Sequence, residues 1–165
     1  MIGNDDKKII VFHGRLSSAE TSGFVKNIKE NFKDVVAVNY DYREGFDKCV
    51  ESIDQQIKNV VYGMMVGISL GGYFARYFAN KYQAELVMVN PSLTYFGEME
   101  EDNVDIPITV ILGQKDDVVD PQYAIDLYDG RARIVVVPDG DHRMKDHYPL
   151  INKEISKNLT SVFGS

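Results

Sequence analysis

The sequence predicts an α/β fold, a parallel β-sheet covered on both faces by helices. Short, uniformly apolar runs alternate with segments whose apolar residues recur at helical spacing. Strands buried on both faces read as continuous apolar runs, which is the pattern of a parallel sheet between helical layers. In addition, each residue suited to nucleophilic or acid–base chemistry falls directly after one of these runs. Open sheets of this kind bind ligands beyond the carboxyl ends of their strands.

The elements follow in order. Lys7–His13 (KKIIVFH) reads as a buried strand ending at Gly14. A helix is predicted over Glu20–Phe32, where Phe24, Ile28 and Phe32 recur every four residues, and Val35–Asn39 forms the second strand. Phe46, Val50, Ile53, Ile57 and Val60 follow steps of 4, 3, 4 and 3 and mark one face of the next helix. The third strand covers Val60–Ile68, and a helix runs from Leu70 to Tyr82. Glu85–Asn90, stopped by Pro91, and Ile108–Gly113 are strands four and five. Asp120 is expected to cap a short helix, Pro121–Tyr128, with proline at its first position. Arg133–Val137 is strand six, stopped by Pro138, and a last helix over Asp146–Val162 buries Tyr148, Ile151, Ile155, Leu159 and Val162.

A chain of 165 residues suits one compact domain, large enough to bury about 70% of its unfolded surface. No apolar stretch approaches the ~18 residues that cross a membrane. The polar start, Met1-Ile2-Gly3-Asn4-Asp5-Asp6-Lys7-Lys8, lacks the apolar core of a signal peptide. Cys49 is the one cysteine and cannot form an intramolecular disulfide, so a reducing, cytoplasmic setting is expected. Its apolar helical surroundings read as those of a small buried residue. Net charge is −7 with a pI near 4.9. No stripe of Lys and Arg exists to bind a phosphate backbone, which argues against a nucleic-acid partner.

Gly67-Ile68-Ser69-Leu70-Gly71 is the most specific motif. A serine between glycines, at a strand-to-helix junction, fits a nucleophile elbow, in which side chains two residues before and after the serine would collide. The bland reading is a Gly-rich turn with Ser69 capping the helix. A serine hydroxyl needs a base to take its proton as it attacks, and the base needs a carboxylate to orient it. His142, after strand six, is the candidate base. Asp116, three residues past Gly113, is the candidate acid, with Asp117 and the helix cap Asp120 as rivals. An exposed loop histidine is the bland alternative for His142, whereas His13 is expected to shape its loop. His147 is placed in the first turn of the last helix beside Asp146 as its cap. The two late histidines stand five residues apart without H-E-x-x-H, so neither a metal nor a cofactor is expected.

The chain resembles a minimal α/β-hydrolase, most closely the small bacterial esterases of the YqiA type. The matching pieces are His13-Gly14-Arg15-Leu16-Ser17-Ser18, Gly67-Ile68-Ser69-Leu70-Gly71-Gly72-Tyr73, Val89-Asn90-Pro91, Gly113-Gln114-Lys115-Asp116 and Gly140-Asp141-His142. The resemblance implies a six-stranded parallel sheet in the order 2-1-3-4-5-6 and no lid domain. It also implies a serine esterase with a Ser69, Asp116, His142 triad, whose chain order is that of α/β-hydrolases. The oxyanion donors would be the backbone N–H groups of Leu70 and Arg15, with Leu16 as the fallback. The Arg15 side chain departs from the bulky apolar residue often found there. It is either solvated or placed to meet an anionic part of a substrate.

Ser92–Asp105 (SLTYFGEMEEDNVD) is too short for a helical cap. Leu93, Tyr95, Phe96 and Met99 form either an apolar wall or satellite core. An open site of this kind suits small or accessible acyl esters and extends to thioesters. The alternative from another class is a catalytically idle hydrolase fold that binds a protein partner. No membrane insertion is expected, and the sequence leaves the oligomeric state open.

Overall fold

The computed structural model describes residues 8–60 and 62–164, with side chains as far as residue 159. Expectations for Met1–Lys7, for Val61 and for the Val162 side chain lie outside the described residues. The strands are β1 (Lys8–Phe12), β2 (Val35–Val38), β3 (Tyr62–Ile68), β4 (Glu85–Val89), β5 (Ile108–Gly113) and β6 (Arg133–Val137). The helices are α1 (Gly23–Asn31), α2 (Phe46–Ile57), α3 (Leu70–Tyr82), α4 (Pro121–Tyr128) and α5 (Tyr148–Gly164). All strand pairs are parallel, in the order β2-β1-β3-β4-β5-β6.

Strand side chains sort by the two-residue period of a pleated sheet. Ile10, Phe12, Met65, Leu86, Met88, Val110 and Leu112 face one layer, with Ile53 of α2, Phe74 and Phe78 of α3, and Tyr128 of α4. Ile9, Val11, Met64, Val66, Val87, Val89 and Ile111 face the other, with Phe24 and Ile28 of α1 and Ile151 and Ile155 of α5. Both faces are therefore sealed, which explains why the strands carry no polar alternation. α3 lies over the middle of the sheet and buries even Gly71, Gly72 and Arg76.

Several boundaries differ from the sequence reading, each for a local reason. α1 begins at Gly23 because the Ser22 hydroxyl accepts from the Val25 N–H, capping the helix three residues later than expected. α2 ends at Ile57, so Val60 packs on the core from a connecting turn. α5 starts at Tyr148. His147 stands in a separate 3-10 turn, Lys145–His147, whose cap is Met144 in the left-handed region, so Asp146 is not a cap. Asp120 does cap α4 by accepting from the Gln122 N–H. Ile151 and Ile155 are fully buried, whereas Tyr148 and Leu159 are partly so. Cys49 is buried, its thiol donates to the Asp41 carbonyl, and burial pushes its pKa up to about 11. Among the described residues no helix is long and apolar enough to cross a membrane.

Candidate active site

The sheet order reverses direction between β1 and β3, and the crevice beyond their carboxyl ends is where an open α/β sheet offers a site. Ser69 is the single residue between β3 and α3, with φ 56° and ψ −123°. A serine held at positive φ in this way costs about 1–3 kcal/mol and persists only where the fold enforces it. Two contacts do so. A Cβ on Gly67 would lie 2.1 Å from the Gly71 carbonyl oxygen, and one on Gly71 would lie 2.1 Å from the Phe12 carbonyl oxygen. The expected crowding across the turn is thus present, and β1 adds a second wall. Ser69 makes no side-chain cap to α3, so its hydroxyl is free of that helix role.

His142 Nε2 stands 3.0 Å from Ser69 Oγ. Its Nδ1 stands 2.9 Å and 3.0 Å from the two oxygens of Asp116. An ionised carboxylate only accepts hydrogen bonds, so Nδ1 donates and Nε2 is left to accept from the serine hydroxyl. The Asp116 side chain is 1% exposed, and the N–H groups of Val118 and Val119 also donate to it. Asp117 is exposed to solvent, and Asp120 is occupied at the start of α4.

The loops that carry Asp116 and His142 are laced together. Gln114 N–H donates to Val137 and Lys115 N–H to Gly140. A Cβ on Gly113 would lie 2.5 Å from the Gly140 carbonyl oxygen, so this approach is closed to larger residues. Asp141 accepts from the Met144 N–H, and the Met144 side chain is fully buried. His142 is therefore held from both sides along the chain.

On the other flank, Gly14 lies against Ser69, and a Cβ on Gly14 would lie 3.7 Å from the Ser69 Cβ. Leu70 opens α3, where the first N–H groups have no intrahelical acceptor. The exposed Arg15 guanidinium lies 5.7 Å from the Tyr42 ring centroid, and that ring meets Tyr95 edge-on. Leu16 is 80% exposed. His13 is buried, stacks on Tyr40 and bonds the Gly14 carbonyl through Nδ1. Desolvation lowers its pKa, which keeps it neutral, and the Tyr40 hydroxyl donates to its carbonyl. His147 pairs with Asp139 at 3.5 Å. Of Leu93, Tyr95, Phe96 and Met99 in the loop after β4, Leu93 is buried and Phe96 and Met99 pack against the core. Tyr95 is the exposed one of these, at 43%.

Sequence reasoning missed three contributors. Ser92 places its hydroxyl 3.5 Å from that of Ser69 and donates its N–H to the Ser69 carbonyl. Tyr40 backs the His13 loop. Asn90, buried at 1% exposure, bonds the strand end that leads to Asp116 and the loop that carries His142. Asn90 and its neighbours were visible as a post-strand motif, but its partners Asp141 and His142 lie 51 and 52 positions away.

A six-stranded parallel sheet of this order, with a serine elbow after β3, is the α/β-hydrolase fold. Within it, the chain belongs to the uncharacterised protein family UPF0227, whose model matches residues 8–105. Solved structures agree on the fold. The alpha/beta hydrolase domain-containing protein 10 from mouse matches with a TM-score of 0.81 at 16% identity, over 94% of this chain and 90% of that one. An alpha-beta serine hydrolase homologue from Coxiella burnetii matches with a TM-score of 0.73 at 17% identity, over 93% and 84%. Est1E from Butyrivibrio proteoclasticus matches with a TM-score of 0.73 at 15% identity, over 99% and 92%. No curated protein matches the chain.

Proposed function

We propose that this protein is a serine hydrolase that cleaves carboxylic esters through an acyl-enzyme on Ser69. The observation that carries the reading is the continuous relay from Asp116 through His142 to the Ser69 hydroxyl, with both hydrogen-bond steps at about 3 Å. In this reading His142 takes the serine proton as Oγ attacks the acyl carbon, then gives it to the departing alcohol. Asp116 fixes the imidazole tautomer and stabilises its charged form. The Leu70 N–H and the Arg15 N–H, next to the glycine packed on Ser69, are the proposed oxyanion donors. Water activated by the same imidazole then releases the acid.

The substrate side is open. Among the described residues the connection from β4 to β5 holds turns and no helix, which supports small or accessible acyl esters rather than long chains needing a covered tunnel. The single buried cysteine is compatible with a cytoplasmic setting.

A serine-directed fluorophosphonate probe tests the reading. Wild type is expected to be labelled and to hydrolyse p-nitrophenyl acetate. Ser69→Ala is expected to do neither. Well-folded wild type that takes no label would leave the idle, partner-binding hydrolase fold as the better account.

A further inference from the structure

Asn90 follows β4 with φ 43°, a left-handed conformation that asparagine adopts far more readily than most residues. Its backbone N–H donates to Ile111 in β5. Its side chain then makes three bonds in two directions. Oδ1 accepts from the Gly113 N–H at 2.8 Å, at the end of the strand that leads to Asp116. Nδ2 donates to the carbonyls of Asp141 and His142, at 3.0 Å and 2.9 Å.

We infer that Asn90 is a positioning residue for catalysis, clamping the His142 loop to the Asp116 strand so that the imidazole spans acid and serine. The inference rests on the serine-hydrolase reading. The chemistry of the clamp is specific to an amide. It must offer one acceptor and two donors within a site closed to water, and a carboxylate or hydroxyl cannot supply that set. The bonds hold the His142 backbone itself, so their loss moves the ring directly. A misplacement on the order of 1 Å costs about 100-fold in rate.

The test compares Asn90→Asp with wild type, using p-nitrophenyl acetate at pH 8. Aspartate keeps the shape and the acceptor for Gly113 but turns a carboxylate oxygen toward two carbonyl oxygens. The expected result is a kcat about 100-fold lower with KM within about threefold. A kcat within about threefold of wild type, or a loss carried by KM with kcat unchanged, overturns the inference. If Asn90→Asp does not fold by circular dichroism, Asn90→Ala is read by the split between kcat and KM. Failure of both to fold makes Asn90 a fold determinant and overturns its positioning role. Wild type that neither takes a fluorophosphonate nor cleaves the ester sinks the serine-hydrolase reading and this inference with it. An active wild type with unaffected Asn90 variants sinks only the clamp.

Discussion

Replacing Asp116 by asparagine separates two adjacent aspartates that sequence alone could exchange. The Asp116 carboxylate receives three donors: His142 Nδ1, the Val118 N–H and the Val119 N–H. An asparagine keeps one oxygen, enough for the two backbone donors, so the loop before α4 should hold. Its amide nitrogen, however, is itself a donor and drives the imidazole toward the tautomer that presents N–H to Ser69. That leaves no base at the nucleophile. In a Ser-His-Asp triad this change lowers kcat by about 10,000-fold, which corresponds to about 5 kcal/mol of barrier. Asp117→Asn, one residue on and exposed, should stay within about twofold, as surface changes away from special features do. Steady-state hydrolysis of a p-nitrophenyl ester by both variants, with thermal melts to establish folding, reads the difference. Comparable losses in the two variants, or the larger loss in Asp117→Asn, would refute the assignment.

Three other perturbations follow from the packing. Burial raises the Glu85 pKa from 4.5 to about 7, so the folded state keeps a proton that the unfolded chain releases. Stability should fall as pH rises between about 4.5 and 7, by about 3 kcal/mol at most. Urea unfolding at pH 5 and pH 8 should show Glu85→Gln gaining over wild type at the higher pH, and an equal gap at both would count against it. Gly71→Ala should cost more than about 3 kcal/mol or prevent folding, because its methyl would enter the Phe12 carbonyl; soluble protein with a wild-type melting temperature would contradict this. Asp102→Ala should destabilise by about 3–5 kcal/mol, since it strands the Arg76 guanidinium, whose side chain is 4% exposed; denaturant titration at constant m-value measures it.

Strand and helix identities were legible because sealed sheet faces demand apolar runs, and those runs carry their own stop signals in Gly14, Pro91 and Pro138. The elbow was legible because Gly67 and Gly71 answer to backbone atoms that no Cβ could clear. Helix starts were less so. Ser22 and Asp120 are both suitable caps by type, but the chain before Ser22 also offers Ser18 and Thr21, which instead bond each other in a turn. Asp146 resembled a cap, yet the chain uses Met144, whose side chain is needed in the core and fixes the turn from inside. Contacts such as Asn90 to His142 depend on which loops the sheet order makes neighbours, and no local pattern encodes them.

The same logic explains how the connection after β4 stays ordered without a helix of its own. Asp102 accepts from Arg76 Nε at 3.0 Å, Asn80 Nδ2 at 2.8 Å and the Tyr128 hydroxyl at 2.9 Å. Asn80 then accepts the Asn103 N–H, and Arg131 donates to the Asn103 carbonyl. A buried carboxylate with three donors is a satisfied charge rather than a strained one, which is the condition under which such a group is tolerated. The network ties the far end of the connection to α3 and α4, while Tyr73 bonds the Gly97 carbonyl near its middle. Its near end is fixed by Asn90 and by the Ser92 N–H on Ser69. With both ends pinned, Tyr95 has little freedom except at its exposed edge, beside Tyr42 and Arg15. Those three side chains form one cluster that begins at Arg15, next to the Gly14 that lies against Ser69. Selectivity among esters should accordingly respond to substitution at Arg15, Tyr42 and Tyr95 more than to changes elsewhere in the connection.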